Sequence, residues 1–164
     1  MSEQLVVVGV DGSPASYTAL RWTLAHAGCT GARVCAIRCW TPILARGWEA
    51  AVTAEPVPSS TEQRARAQRE LVEVVRAAVA RVSTRAAEVA VAQRVVRGPA
   101  GPGLVAQAAD ADLLIVGHSH RSIEMLHRSV TWYCVRHARC PVLVIPPAMA
   151  ARRTLSPAAA EVFA

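Results

Sequence analysis

Apolar residues fall in uninterrupted short runs at Gln4–Val10, Leu113–Val116 and Pro141–Ile145, each bounded by Gly, Asp or Pro. Runs this short, without alternation, predict strands buried on both faces, as in a parallel sheet. Two further strands are expected over Ala32–Trp40 and about Glu88–Val96. Between the strands the apolar positions change to helical spacing. Ala19, Leu20, Trp22, Thr23, Leu24 and Ala27 form a broad face that follows Asp11-Gly12-Ser13-Pro14. In that turn Ser13 is placed as N-cap and Pro14 at the first helical position, with Gly28 as the stop. Trp22 and His26 read as packing residues of this helix. Leu71, Val74, Val75, Ala78, Val79 and Val82 give the core stripe of a second helix, expected from a Thr61 cap to about Arg85, with an arginine-rich solvated face. The Gly/Pro cluster Arg97–Gly103 reads as a turn into a short helix ending near Ala109. Two prolines remove donors and no Lys follows, so it is not a phosphate loop. A last helix begins at Ser129, with Val130, Cys134 and Val135 as its apolar stripe.

Strands alternating with helices in this order predict a doubly wound α/β layer fold of five strands and four helices. One domain is expected over 1–147, followed by a tail, 148–164, in which Ser156-Pro157 signals a small helix. The segment from Thr41 to Ser60 is long for a connection in a compact domain, and is either a lid or a surface loop anchored by Trp48. The segment between Leu113–Val116 and Pro141–Ile145 is polar and basic up to about Ser129. It leaves the carboxyl end of one strand and faces the amino end of the next helix, where open parallel sheets place their ligands.

Composition narrows the classes. The chain has 164 residues, 52% hydrophobic and 18% charged, which argues against disorder. No run is long and apolar enough to cross a bilayer, and Met1–Gln4 lacks an export signal, so a cytoplasmic protein is expected. The net charge of +6 comes with eighteen arginines and no lysine. These arginines are scattered and lack interleaved aromatics, which argues for a compositional bias and against a nucleic-acid surface. The five cysteines have no CxxC spacing, and Cys35 and Cys39 share one strand face, so they read as small buried hydrophobes. His118, His120 and His127, with Glu124, are the available metal-ligand cluster. Loop histidines of this kind are more often solvated, and no metal is assigned to them. Ser119 or Ser129 beside a loop histidine is the available nucleophile pattern, but no G-x-S-x-G elbow surrounds either serine.

Three motifs in order, Val6–Pro14, Asp112–Gly117 and Ala138–Ile145, make the chain resemble the universal stress protein family over about residues 4 to 147. The resemblance implies a flavodoxin-like sheet of order 3-2-1-4-5, a role in stress adaptation, and a dimer. Pairing through the fifth strand, Pro141, Val142, Leu143, Val144 and Ile145, would cover an otherwise bare apolar edge. It also implies a possible ATP cofactor, held at Gly9, Asp11, Val116, Gly117, Ser129 and Val130.

In the ATP-binding branch of the family, the fourth strand leads into Gly, two residues, Gly, nine residues and Gly-Ser or Gly-Thr. Glycines there let backbone N–H groups reach the phosphates beside a helix amino end. Here Gly117 fits, but His120 and Arg128-Ser129 replace the later elements, and the intervening segment is two residues short. Two readings follow. The side chains of His120 and Arg128 fill the phosphate site and the protein acts through its dimer surface with weak or no ATP binding. Alternatively, Arg121 and Arg128 replace the lost backbone contacts by charge-assisted bonds to phosphate, with slow hydrolysis at most.

Overall fold

A computed structural model of the chain describes residues 4–42, 58–118 and 129–146. The strands are β1 (Leu5–Gly9), β2 (Arg33–Trp40), β3 (Val91–Arg97), β4 (Leu113–Gly117) and β5 (Val142–Ile145). The helices are α1 (Pro14–Thr30), α2 (Ser60–Val79), α3 (Thr84–Ala87), α4 (Ala100–Gln107) and α5 (Val130–His137). All pairings are parallel, in the order β3-β2-β1-β4-β5, the order that the family resemblance implies. Trp48 and the tail helix signal at Ser156 lie outside the described residues.

Alternation along the strands sorts the core into two layers. Val6, Val8, Val34, Ala36 and Ile115 face α1 and α2, where they meet Ala19, Leu20, Leu24, Leu71 and Val75. Val7, Cys35, Ile37, Leu114 and Val116 face α4 and α5, where they meet Leu104, Ala108 and Cys134. Both faces of the central strands are therefore covered, which is why β1 and β4 read as continuous apolar runs.

Several boundaries differ from the sequence reading. Helix α1 passes through Gly28 and ends at Gly31, whose φ of +75° is the left-handed conformation that a C-cap glycine supplies. Gly28 has a different role: a Cβ there would lie 2.9 Å from the Ala86 Cα, so it admits α3 against α1. Helix α2 is capped by Ser59 rather than Thr61. The Ser59 Oγ accepts from the Glu62 N–H at 3.2 Å, and Glu62 Oε2 accepts from the Ser59 N–H at 2.7 Å. Only Ser59 has a glutamate three residues on to close this capping box. The helix stops at Val79, and Thr84–Ala87 forms a separate turn. The Gly/Pro cluster turns only as far as Pro99, because α4 already begins at Ala100. Two of its three glycines are sites of close approach: a Cβ on Gly101 would meet the Tyr133 ring, and one on Gly103 the Cys39 sulfur, each at 2.8 Å. In α5 the apolar stripe reduces to Cys134, which is buried, while Val130 and Val135 are exposed. Only Cys134 faces the sheet, and Val135 lies 100° further round the helix.

Candidate functional site

The sheet order places β1 and β4 side by side while their following connections leave in opposite directions. This is the topological switch point of a doubly wound sheet, and it opens a crevice at the carboxyl ends of the two strands. On the β1 side the chain enters Asp11-Gly12-Ser13, with Gly12 at φ +85°. The Asp11 Oδ1 accepts from the Ser13 N–H at 2.8 Å, and the Ser16 Oγ accepts from the Asp11 N–H at 3.3 Å. Ser13 in turn caps α1, its Oγ accepting from the Ser16 N–H at 3.2 Å. Burial pushes the Asp11 carboxyl up, but the hydrogen bonds from Ser13 and Ser16 together outweigh it and hold the carboxyl below its ordinary range. A fixed carboxylate thus stands at the mouth of the crevice, in an orientation set by its own turn.

On the β4 side the strand ends at Gly117, pressed on the start of α1. A Cβ at this position would lie 2.5 Å from the Ala15 carbonyl carbon and 2.7 Å from the Ser16 nitrogen. The two switch-point turns are therefore in contact through Gly117, a requirement of packing that any ligand contact would add to. The Gly117 carbonyl accepts from the Thr131 hydroxyl at 3.3 Å, which ties the amino end of α5 to the end of β4. Ser129 caps α5, its Oγ accepting from the Trp132 N–H at 3.4 Å. The N–H groups of Val130 and Thr131 belong to the first turn and have no acceptor within the helix.

The predicted residues thus divide. Asp11, Gly117, Ser129 and Val130 border the crevice. Val116 is 3% exposed, with its side chain in the α4 and α5 layer, so it offers the crevice only its backbone. Gly9 sits beneath, where a Cβ would lie 2.9 Å from a Leu104 methyl. His118 continues β4, its N–H donating to the Ile145 carbonyl at 2.9 Å. Ser119, His120, Arg121, Glu124, His127 and Arg128 lie outside the described residues.

Two residues absent from the sequence reading border this region. Thr131 had no signal beyond its place in a first helical turn. Arg38 had one: it is a charge in the interior of strand β2, flanked on both sides by apolar residues, whereas Arg33 stands at the strand's first position. Its guanidinium pairs with Glu70 of α2, which also accepts from Arg66 Nε at 2.8 Å. The Arg66 hydrogen bond is the main reason that the Glu70 carboxyl lies below its usual range, with burial opposing and Arg38 assisting. The other guanidinium nitrogen, Nη1, is buried without a partner among the described residues, and lies 3.5 Å from where a Cβ on Gly12 would be. Arg38 therefore backs the turn that carries Asp11. Of the cysteines, Cys35 and Cys134 are buried packing residues and Cys39 and Cys140 are partly buried, whereas Cys29 is exposed, contrary to the expectation for it. Burial pushes the Cys35 and Cys39 thiols up, and Cys134, with Cys39 and Cys140 adding to its burial, is pushed up to about 11.

A flavodoxin-like parallel sheet, with a carboxylate after β1 and a capped helix start after β4 on either side of the switch point, defines a doubly wound α/β protein. The chain belongs to the universal stress protein family, whose model matches residues 4–146. Universal stress protein Rv2623 of Mycobacterium tuberculosis is 31% identical over 143 residues, covering 85% of this chain and 46% of the relative. The chain thus spans about half the length of the curated relatives it matches. Among solved structures, a universal stress protein in complex with cAMP is 24% identical, with a TM-score of 0.59, covering 90% of this chain and 99% of that one. A family protein from Arabidopsis thaliana with AMP bound is 18% identical, with a TM-score of 0.56, covering 87% and 91%. At these identities the structural likeness concerns the fold.

Proposed function

We propose that this chain is a dimeric regulatory module in stress adaptation whose crevice keeps the nucleoside half of a nucleotide site and has lost the polyphosphate half. The observation that carries this is a contrast within one crevice. The Asp11 turn is fully formed, while His120 and Arg128 stand at the glycine positions of the phosphate loop in a segment two residues short. Side chains there shield backbone donors and restrict the positive-φ conformations that glycine permits. A single phosphate asks for less. The Val130 and Thr131 N–H groups, at the positive end of α5, suffice to hold one. The family structures holding cAMP and AMP support a monophosphate as the ligand to try first. The hydroxyls of Ser13 and Ser129 accept from backbone N–H groups as caps, which supports binding over nucleophilic catalysis.

Calorimetry with AMP and with magnesium ATP tests this reading. AMP is expected to bind at least as tightly as ATP, with ATP weak or undetectable. Replacing His120 and Arg128 by Gly, and inserting two residues between them, should raise the affinity for ATP more than that for AMP. Tight ATP binding by the wild type that disappears in Arg128→Gly would instead make the arginine a phosphate ligand and overturn the reading.

A further inference from the structure

A second concave surface lies at the opposite end of the sheet from the crevice, on the face covered by α4 and α5. Helix α4 has only eight residues, and the amino-terminal halves of β1, β2 and β3 form the floor of an open groove of about 430 Å³. Strand register explains its shape. Val7, Cys35 and Ala92 make one row across the three strands, flanked by Leu5 beside Arg33 on one side and Ile37 beside Arg94 on the other. The small side chains of Cys35 and Ala92 lower the middle of the floor. Arg94 stands on the wall, where its Nη1 donates to the neutral Gln107 Oε1 at 3.3 Å. A guanidinium has five N–H donors, so most of its capacity is left for another acceptor. None of the described residues lining the groove is acidic. Burial is the larger influence on the Cys35 thiol and pushes it up, while the charge of Arg94 pulls it down, so that charge reaches the floor.

We propose that this groove binds a small amphipathic monoanion, an aliphatic carboxylate. The carboxylate pairs with the Arg94 guanidinium, and the hydrocarbon lies along Leu5 and Ala92, above the buried Val7 and Cys35. The volume falls within the range of small-molecule sites, and the lining has their usual make-up of an apolar floor with few polar groups. An arginine with no acidic neighbour in the lining suits a planar carboxylate. The site is independent of the nucleotide reading, since it uses the amino ends of the strands and that crevice uses the carboxyl ends.

Calorimetry on the full chain with octanoate, hexanoate and octanol tests the proposal. Octanoate should bind saturably, and each methylene removed should weaken binding by up to about fourfold. Arg94→Gln should weaken octanoate about tenfold or more while leaving octanol unchanged. Ala92→Trp, at an exposed position, should fill the groove and abolish binding. Circular dichroism checks that each variant is folded, and Gln107→Trp blocks the same wall from α4 if Ala92→Trp does not fold. The proposal is overturned by the absence of saturable octanoate binding, by octanol binding as tightly as octanoate, or by an unchanged affinity in Arg94→Gln. Self-association that Ala92→Trp abolishes, without octanoate binding, would assign the groove to a second copy and overturn it equally.

Discussion

Asp11 owes its ionised state to hydrogen bonds within its own turn. Its folded pKa is lowered from the ordinary value, so its turn contributes stability above the unfolded pKa, and that contribution is lost as pH falls through the folded value. Ser13→Ala removes one of the groups that hold the carboxylate. The titration midpoint of the Asp11 carboxyl, followed by NMR, is expected below that of an unfolded aspartate in the wild type and to move upward in that variant. A midpoint that does not move would show that Ser13 caps the helix without tuning the carboxylate. Asp11, Gly12 and Ser13 were legible in the sequence because turns and caps are local patterns. The partner of Arg38 was not, because Glu70 lies 32 residues away and no short-range rule pairs a strand arginine with a glutamate on a later helix.

Among the elements, α1 shows why two glycines three residues apart cannot be told apart by pattern alone. Either one could stop the helix, but only Gly31 has the positive φ, and it has open space around it, whereas Gly28 sits against the α3 backbone. Asparagine tolerates the left-handed conformation, so Gly31→Asn should cost at most about 1 kcal/mol. Gly28→Asn should cost about 1–3 kcal/mol by forcing α1 and α3 apart, and lower the melting temperature by several degrees. Thermal melting of the two variants checks this ordering, and equal losses would mean that the α1–α3 contact can yield. The capping box at Ser59 was open to sequence reasoning, since the spacing of Ser59 and Glu62 is its signature. Thr61, two residues further on, competes with Ser59 in the sequence because it too is a capping residue type.

For the whole molecule, the parallel order leaves β5 at an edge, hydrogen-bonded to β4 on one side only. Val142, Leu143 and Val144 are only half-buried there, and an apolar edge of this kind invites pairing. A symmetric dimer joined through the two fifth strands is therefore expected. Sedimentation should show a dimer at micromolar concentration for the wild type and a monomer for Val142→Lys; a stable wild-type monomer would remove the idea. What the sequence determined by itself was the five strands and their alternation with helices, although it merged α3 with α2 into one helix. Apolar periodicity encodes burial locally, and the handedness of parallel crossovers leaves few ways to connect strands so spaced. What only the tertiary structure decided was the work of particular residues: Gly117 against Ala15, Gly28 against Ala86, Arg38 behind Gly12, and the groove over Cys35 and Ala92. Each joins positions distant in the chain, and such contacts are set by how the layers pack together, which leaves no mark on neighbouring residues.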